Sequence, residues 1–151
     1  MSKNLFYKEF QFAWWILILV VLWLVLTYLH YSGSPAISWN TYLSSTITLL
    51  ALSLLFYGMK TEIDNSIIKL SFGIGLISKK IQLNNVKSVE VVRNKWYQGW
   101  GIRLIDNGWL YNISGLNAVE INQKDKRSII RIGSQQPADL RKAIFEGITK
   151  N

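Results

Sequence analysis

Apolar residues follow two different rules along this chain. Residues 10–59 contain no Asp, Glu, Lys or Arg. Within them, residues 12–29 read FAWWILILVVLWLVLTYL, apolar on every side of a helix. That length is close to the ~20 residues that cross a bilayer core of about 30 Å. A second uncharged segment, residues 41–59, reads TYLSSTITLLALSLLFYGM. Between the two, Gly33 and Pro35 break the helix. The pattern predicts a transmembrane hairpin of two helices, at about 12–29 and 41–59.

From Lys60 onward the period is two. Short runs at 67–72, 76–83, 86–93, 101–105, 109–113, 118–122 and 128–133 alternate apolar with polar positions, as in Ile102-Arg103-Leu104 and Ile130-Arg131-Ile132. Asp64-Asn65, Asn84-Asn85, Asp106-Asn107-Gly108 and Lys124-Asp125-Lys126 mark turns between them. Half-buried antiparallel strands in a meander are expected. A last helix at about 137–149 opens with Pro137 and Asp139, and Leu140, Ile144 and Ile148 make its apolar stripe. The division is residues 1–59 as tail and hairpin, and residues 60–151 as one domain.

Charge sharpens this picture. Only 17% of residues are charged, against about a quarter in soluble domains, and the net charge is +8. The first nine residues, with Lys3, Lys8 and Glu9, contribute +1, and everything beyond Met59 contributes the remaining +7. Lys3, Lys8, Lys60 and Lys69 flank the apolar third, while the loop at 30–40 has no Lys or Arg. The positive-inside rule therefore puts both termini and the basic domain in the cytoplasm, with the hairpin in the plasma (inner) membrane. Trp14, Trp15, Phe56 and Tyr57 mark one interface, and Tyr28, Tyr31 and Trp39 the other. A secretory signal fits worse, because the apolar run exceeds the usual 7–15 residues and no A-x-A site follows. Ser44, Thr48 and Ala51 form a small-residue stripe expected to pack on the first helix. No ionisable residue lies inside the spans to mark a transport path.

Candidate chemistry is sparse. The absence of cysteine removes disulfides, thiolate metal sites and thiol nucleophiles. Gly73-Ile74-Gly75 lacks the third glycine of a dinucleotide fingerprint and reads as a turn between strands. There is no P-loop, no H-E-x-x-H, no G-x-S-x-G and no histidine beyond residue 59. Glu62, Asp64, Glu90, Asp106, Glu120, Asp125, Asp139 and Glu146 fall on turns or outward positions and read as solvated. Asn112-Ile113-Ser114 matches a glycosylation sequon, which has no meaning in the cytoplasm. The expectation is a protein that is not an enzyme, uses no cofactor or metal, and binds no nucleic acid.

One segment stands out. Arg93, Lys95, Trp96, Tyr97 and Trp100 bring cations and aromatics into one loop. Such a mixture can place rings at headgroup depth with cations on anionic lipid, or can seat a protein partner. A third reading has Trp96 and Trp100 closing the mouth of a small barrel. Lys79-Lys80 is a second basic spot, and Lys124, Lys126 and Arg127 a third.

Seven short strands and a terminal helix in ninety residues, behind two spans, resemble the bacterial membrane-anchored pleckstrin-homology-like (PH-like) proteins. Residues 67–92, IIKLSFGIGLISKKIQLNNVKSVEVV, are similar to their strand, glycine turn, strand and "I-P-L-x-x-I" segment, with Gln82 where proline is common. Residues 101–121, GIRLIDNGWLYNISGLNAVEI, are similar to small members of the group. The resemblance implies a membrane-anchored α+β fold. In it, a PH-like antiparallel sandwich or partly open barrel, capped by the C-terminal helix, follows the hairpin. The expected role is a non-catalytic module contacting the anionic membrane surface or lipid headgroups. The alternative is an adaptor docking a protein partner through the loop at 96–100, and either is compatible with a homo-oligomer.

Overall fold

A strand comes before the helices. In the computed structural model, β1 (Tyr7–Phe12) leads into α1 (Trp14–Gly33) and α2 (Trp39–Phe56), and β2 (Gly58–Ile63) then pairs antiparallel with β1. The register runs from Tyr7 opposite Ile63 to Phe12 opposite Gly58, and the Ala13 N–H donates to the Tyr57 carbonyl at 2.9 Å. The helices are thus an insert in a β-hairpin. A division at residue 59 falls inside β2. Phe12 belongs to β1, and Gly58 and Met59 to β2, so the helices are displaced from the expected 12–29 and 41–59. The structure describes residues 7–33, 38–64, 66–125 and 127–149, with the side chains of 30–33 set aside. Lys3, Pro35, Lys126 and the side chains of His30 and Tyr31 lie outside the described residues.

At 1.5 Å per residue, α1 and α2 are about 30 Å and 27 Å long. Ser38 caps α2, its Oγ accepting from the Thr41 N–H. By length and composition α2 is a membrane-span candidate, with mean hydropathy 1.2, while Trp14–Leu29 counts among the shorter apolar helices. The expected close approach through Ser44 and Thr48 is not formed. Ser44, Ser45, Thr46 and Thr48 donate to carbonyls of their own helix, and no residue of α2 is buried.

The strands β3 (Ile67–Phe72), β4 (Ile77–Gln82), β5 (Val86–Arg93), β6 (Gly101–Ile105), β7 (Gly108–Asn112), β8 (Asn117–Gln123) and β9 (Ile129–Gly133) fall within two residues of their expected bounds. They form a four-stranded sheet, β1-β2-β3-β4, and a five-stranded sheet, β5-β8-β9-β7-β6. The first is a meander. The second is not, because β7 runs parallel to β9. Gly108 permits that pairing, since a Cβ there would stand 1.8 Å from the Ile129 carbonyl oxygen. Both sheets feed one core, in which Ile63, Leu70 and Phe72 meet Ile113, Ile121 and Ile132. On α3 (Pro137–Thr149), Leu140 and Ile144 close it.

β1 carries its polar residues inward. Glu9 and Gln11 are buried, whereas Phe10 points to solvent. Glu9 accepts from Ser134 Oγ and the Gln135 N–H at 2.7 Å each, and from the Tyr7 hydroxyl at 2.8 Å. Gln11 Nε2 donates to the Gly133 carbonyl at 2.6 Å. This strand therefore fastens the connection between β9 and α3. Burial, followed by the bond to Glu9 and its charge, pushes the Tyr7 phenol well above its ordinary pKa.

Replacing residues 14–56 by Asn-Gly should leave a chain that folds, because Ala13 and Tyr57 are already placed for a tight turn. Removing residues 1–12 from that chain should abolish its cooperative thermal transition. Within the shortened chain, Glu9→Ala should cost about 2–4 kcal/mol in guanidinium unfolding, since it strands buried donors. The folded Tyr7 phenol holds its proton more tightly than the unfolded one. Its stabilisation is complete below pH about 10 and is lost as pH rises above it. Tyr7→Phe should remove that part of the alkaline decline.

Candidate functional site

The loop after β5 is a hydrogen-bonded turn. Asn94 is buried, and its N–H donates to the Leu116 carbonyl at 2.7 Å. The Lys95 N–H donates to Gln98 Oε1 at 2.9 Å, and the Gln98 N–H returns to the Lys95 carbonyl at 3.0 Å. Gly99, with φ 66°, ends the turn in a conformation that side chains disfavour. This frame turns Trp96 and Tyr97 outward, and Trp96 is 81% exposed. Their rings meet edge-on at 6.1 Å, and Lys95 Nζ lies 5.6 Å from the Tyr97 centroid. Tyr97, through hydrogen bonding and then charge, raises the Lys95 pKa.

Trp96 and Trp100 do not close a barrel, as both are exposed. Trp100 stacks instead on Trp15 in the first turn of α1, with centroids 6.5 Å apart and planes 2° from parallel. Trp15 Nε1 in turn donates to the Ile113 carbonyl at 3.1 Å. The aromatic loop is thereby placed beside the base of the helix pair.

A second tip reaches the same base. The turn between β3 and β4 sits on the end of α2, where the Ile74 N–H donates to the Leu54 carbonyl at 3.2 Å and the Gly73 N–H to the Gly58 carbonyl at 2.8 Å. Ile74 and Leu76 are exposed on it, Leu76 by 74%. Apolar side chains thus flank the helix base at two separate places.

The cations divide differently from the sequence. Lys79 lies opposite Leu70, and Lys80 opposite Lys69, so the adjacent lysines take opposite faces of β4. Lys80 joins a row across the outer face of the first sheet, Lys8-Glu62-Lys69-Lys80. Lys60 lies on the same face, paired with Glu62 at 2.6 Å, and its hydrogen bond holds the Glu62 carboxyl below its ordinary pKa. Lys8, Lys60 and Lys69 border a shallow depression of about 530 Å³ that reaches Ile74. Arg93 ends β5 and is exposed. Lys124, just past the end of β8 in the second sheet, donates its N–H to the Asn85 carbonyl and its Nζ to that of Asn84. Sequence reasoning missed Lys8 and the tip residues Ile74 and Leu76. Strand alternation around the glycine turn could have shown the latter as unpaired.

Among the described residues, no three of His, Cys, Asp and Glu gather to hold a metal. No family model matches the chain, and neither does any curated protein or solved structure.

The glycine turn offers a direct check of how the tip is held. A Cβ on Gly73, at φ +50°, would lie 2.1 Å from the Leu54 carbonyl oxygen, while one on Gly75 meets nothing within 4 Å. Gly73→Ala should free the Ile74 amide to exchange with solvent at least tenfold faster. Gly75→Ala should leave that amide protected and cost only the about 1–2 kcal/mol of its positive φ.

Proposed function

We propose that the chain is an integral membrane protein of the plasma (inner) membrane. Its two helices form a spanning hairpin, and its non-catalytic, PH-like domain rests on the anionic cytoplasmic surface. The observation that carries this reading is the position of Ile74, Leu76, Trp96 and Trp100. These exposed side chains flank the helix pair where its uncharged stretch begins. Tips at headgroup depth remove that apolar surface from water.

Topology supports an even number of crossings. β1 and β2 are hydrogen-bonded neighbours, and a single crossing of the insert would part them. Charge supports the orientation. Lys60 stands about 7 Å along β2 from Gly58, and the row with Lys8, Lys69 and Lys80 about 13 Å. The nearer distance is inside the screening length of about 8 Å and the farther is beyond it, so Lys60 is the better-placed cation, with its pairing to Glu62 offsetting part of its charge. Each cation near the surface contributes about 1 kcal/mol. Two sheets sharing a core under a C-terminal helix support the PH-like reading, although the parallel β7–β9 pair departs from its antiparallel expectation.

The exposed Trp96 also suits a protein partner, since tryptophan and tyrosine dominate binding hot spots. Fluorescent labelling separates the two readings. The chain has no cysteine, so Leu76→Cys, Trp96→Cys and Asp125→Cys can each carry a single environment-sensitive dye in proteoliposomes of the full chain. Blue-shifted emission at positions 76 and 96, quenched by headgroup-level quenchers, with a water-like signal at 125, is expected. Water-like emission at all three would sink the surface-resting model, and at 96 alone would favour the partner.

A further inference from the structure

A cleft opens where β6 passes the helix pair. Ile16 and Leu19 of α1, Leu52 and Phe56 of α2, and Ile102 and Leu104 of β6 border about 670 Å³, in the range of about 300–1,000 Å³ typical of ligand sites. The cleft does not stop at the domain. Leu19, Leu49 and Leu52 also line a hollow of about 440 Å³ between α1 and α2, which extends to Trp23, Leu26 and Thr41. From Trp15 to Leu26 is about 17 Å along the helix. One leaflet of a bilayer core is about 15 Å deep.

The walls are mostly apolar. Where Ser44, Ser45 and Thr48 border the hollow, their hydroxyls are already bonded to carbonyls of α2. The one charged group is at the domain end. Arg103 donates Nε to the Trp100 carbonyl at 3.1 Å and lies over Gly99. Among the described residues its two Nη atoms make no hydrogen bond or ion pair. A planar fork with two free nitrogens matches a phosphate. A partner helix fits poorly, because a cylinder about 10 Å across and 17 Å long needs about 1,300 Å³.

We propose that this cleft holds one acyl chain of an anionic phospholipid whose phosphate is gripped by Arg103. The inference rests on the membrane reading above and adds to it a single lipid site. The surrounding bilayer supplies the ligand. The stacked Trp15 and Trp100 fix the mouth.

The test uses the full chain reconstituted in vesicles of equal phosphatidylglycerol and phosphatidylcholine, re-extracted in mild detergent and weighed by native mass spectrometry. One retained phosphatidylglycerol per chain is expected. Ser53 of α2 also lines the cleft, so Ser53→Trp, which plugs it, should lower retention of either lipid about tenfold, and Ser53→Phe repeats the plug with a smaller ring. Arg103→Glu should lower phosphatidylglycerol retention about tenfold, as for a lost charge-assisted pair, and phosphatidylcholine retention less, because phosphatidylcholine loses the same phosphate contact but its choline is attracted to the new carboxylate. Lys124→Glu, at the far end of the domain, should behave as the parent. Retention unchanged by both Arg103→Glu and the Ser53 plugs, or no lipid retained by the parent, would overturn the site. A chain released from membranes by carbonate would instead overturn the membrane reading itself.

Discussion

Pairing between β1 and β2 holds this molecule together. Six residues before the helices and six after them share one ladder, closed at the helix end by the bond from Ala13 to Tyr57. The helices cannot swing as a free tether, because both feet are rooted in adjacent strands. That constraint fixes how the domain sits against the helix base. It also explains why Trp100 can stack on Trp15, and why the β3–β4 turn can bond to the end of α2.

The same pairing accounts for an inner face that is partly polar. β1 brings Glu9 and Gln11 beneath the β9–α3 connection, where they satisfy Ser134, Gln135 and Gly133. A buried carboxylate is costly unless it is hydrogen-bonded, and Glu9 receives three donors. The start of α3 is therefore tied to the strand that feeds α1. The helix base and the C-terminal helix belong to one mechanical unit.

Much of the fold is legible in the sequence, and the failures have physical causes. β3, β5 and β6 match their expected runs because each shows one apolar face between turn residues. β1 is hidden because its pattern is inverted, with Glu9 and Gln11 inward and Phe10 outward, so alternation suggests no core strand. β2 is masked because Gly58 and Met59 prolong an uncharged run, although Met59 is fully buried in the domain. The order of the second sheet depends on long-range pairing, to which local patterning is blind. The loop residues Arg93, Lys95, Trp96, Tyr97 and Trp100 stand out by composition. Their neighbour Arg103 reads as an ordinary outward strand residue until β6 is seen to border the helices.

The central claim is that β1 and β2 pair on one side of a membrane across a twice-crossing insert. Disulfide trapping in the native membrane tests it most directly. Lys8 and Glu62 stand directly opposite one another, and opposed antiparallel residues have Cα atoms about 4.5–5.5 Å apart, within disulfide reach. A full chain carrying Lys8→Cys and Glu62→Cys should cross-link within itself nearly completely under mild oxidation. A chain carrying Lys8→Cys and Ser78→Cys, on strands at the two edges of the sheet, should not. No cross-link between positions 8 and 62, with both thiols free to react, would contradict the paired hairpin and the topology built on it.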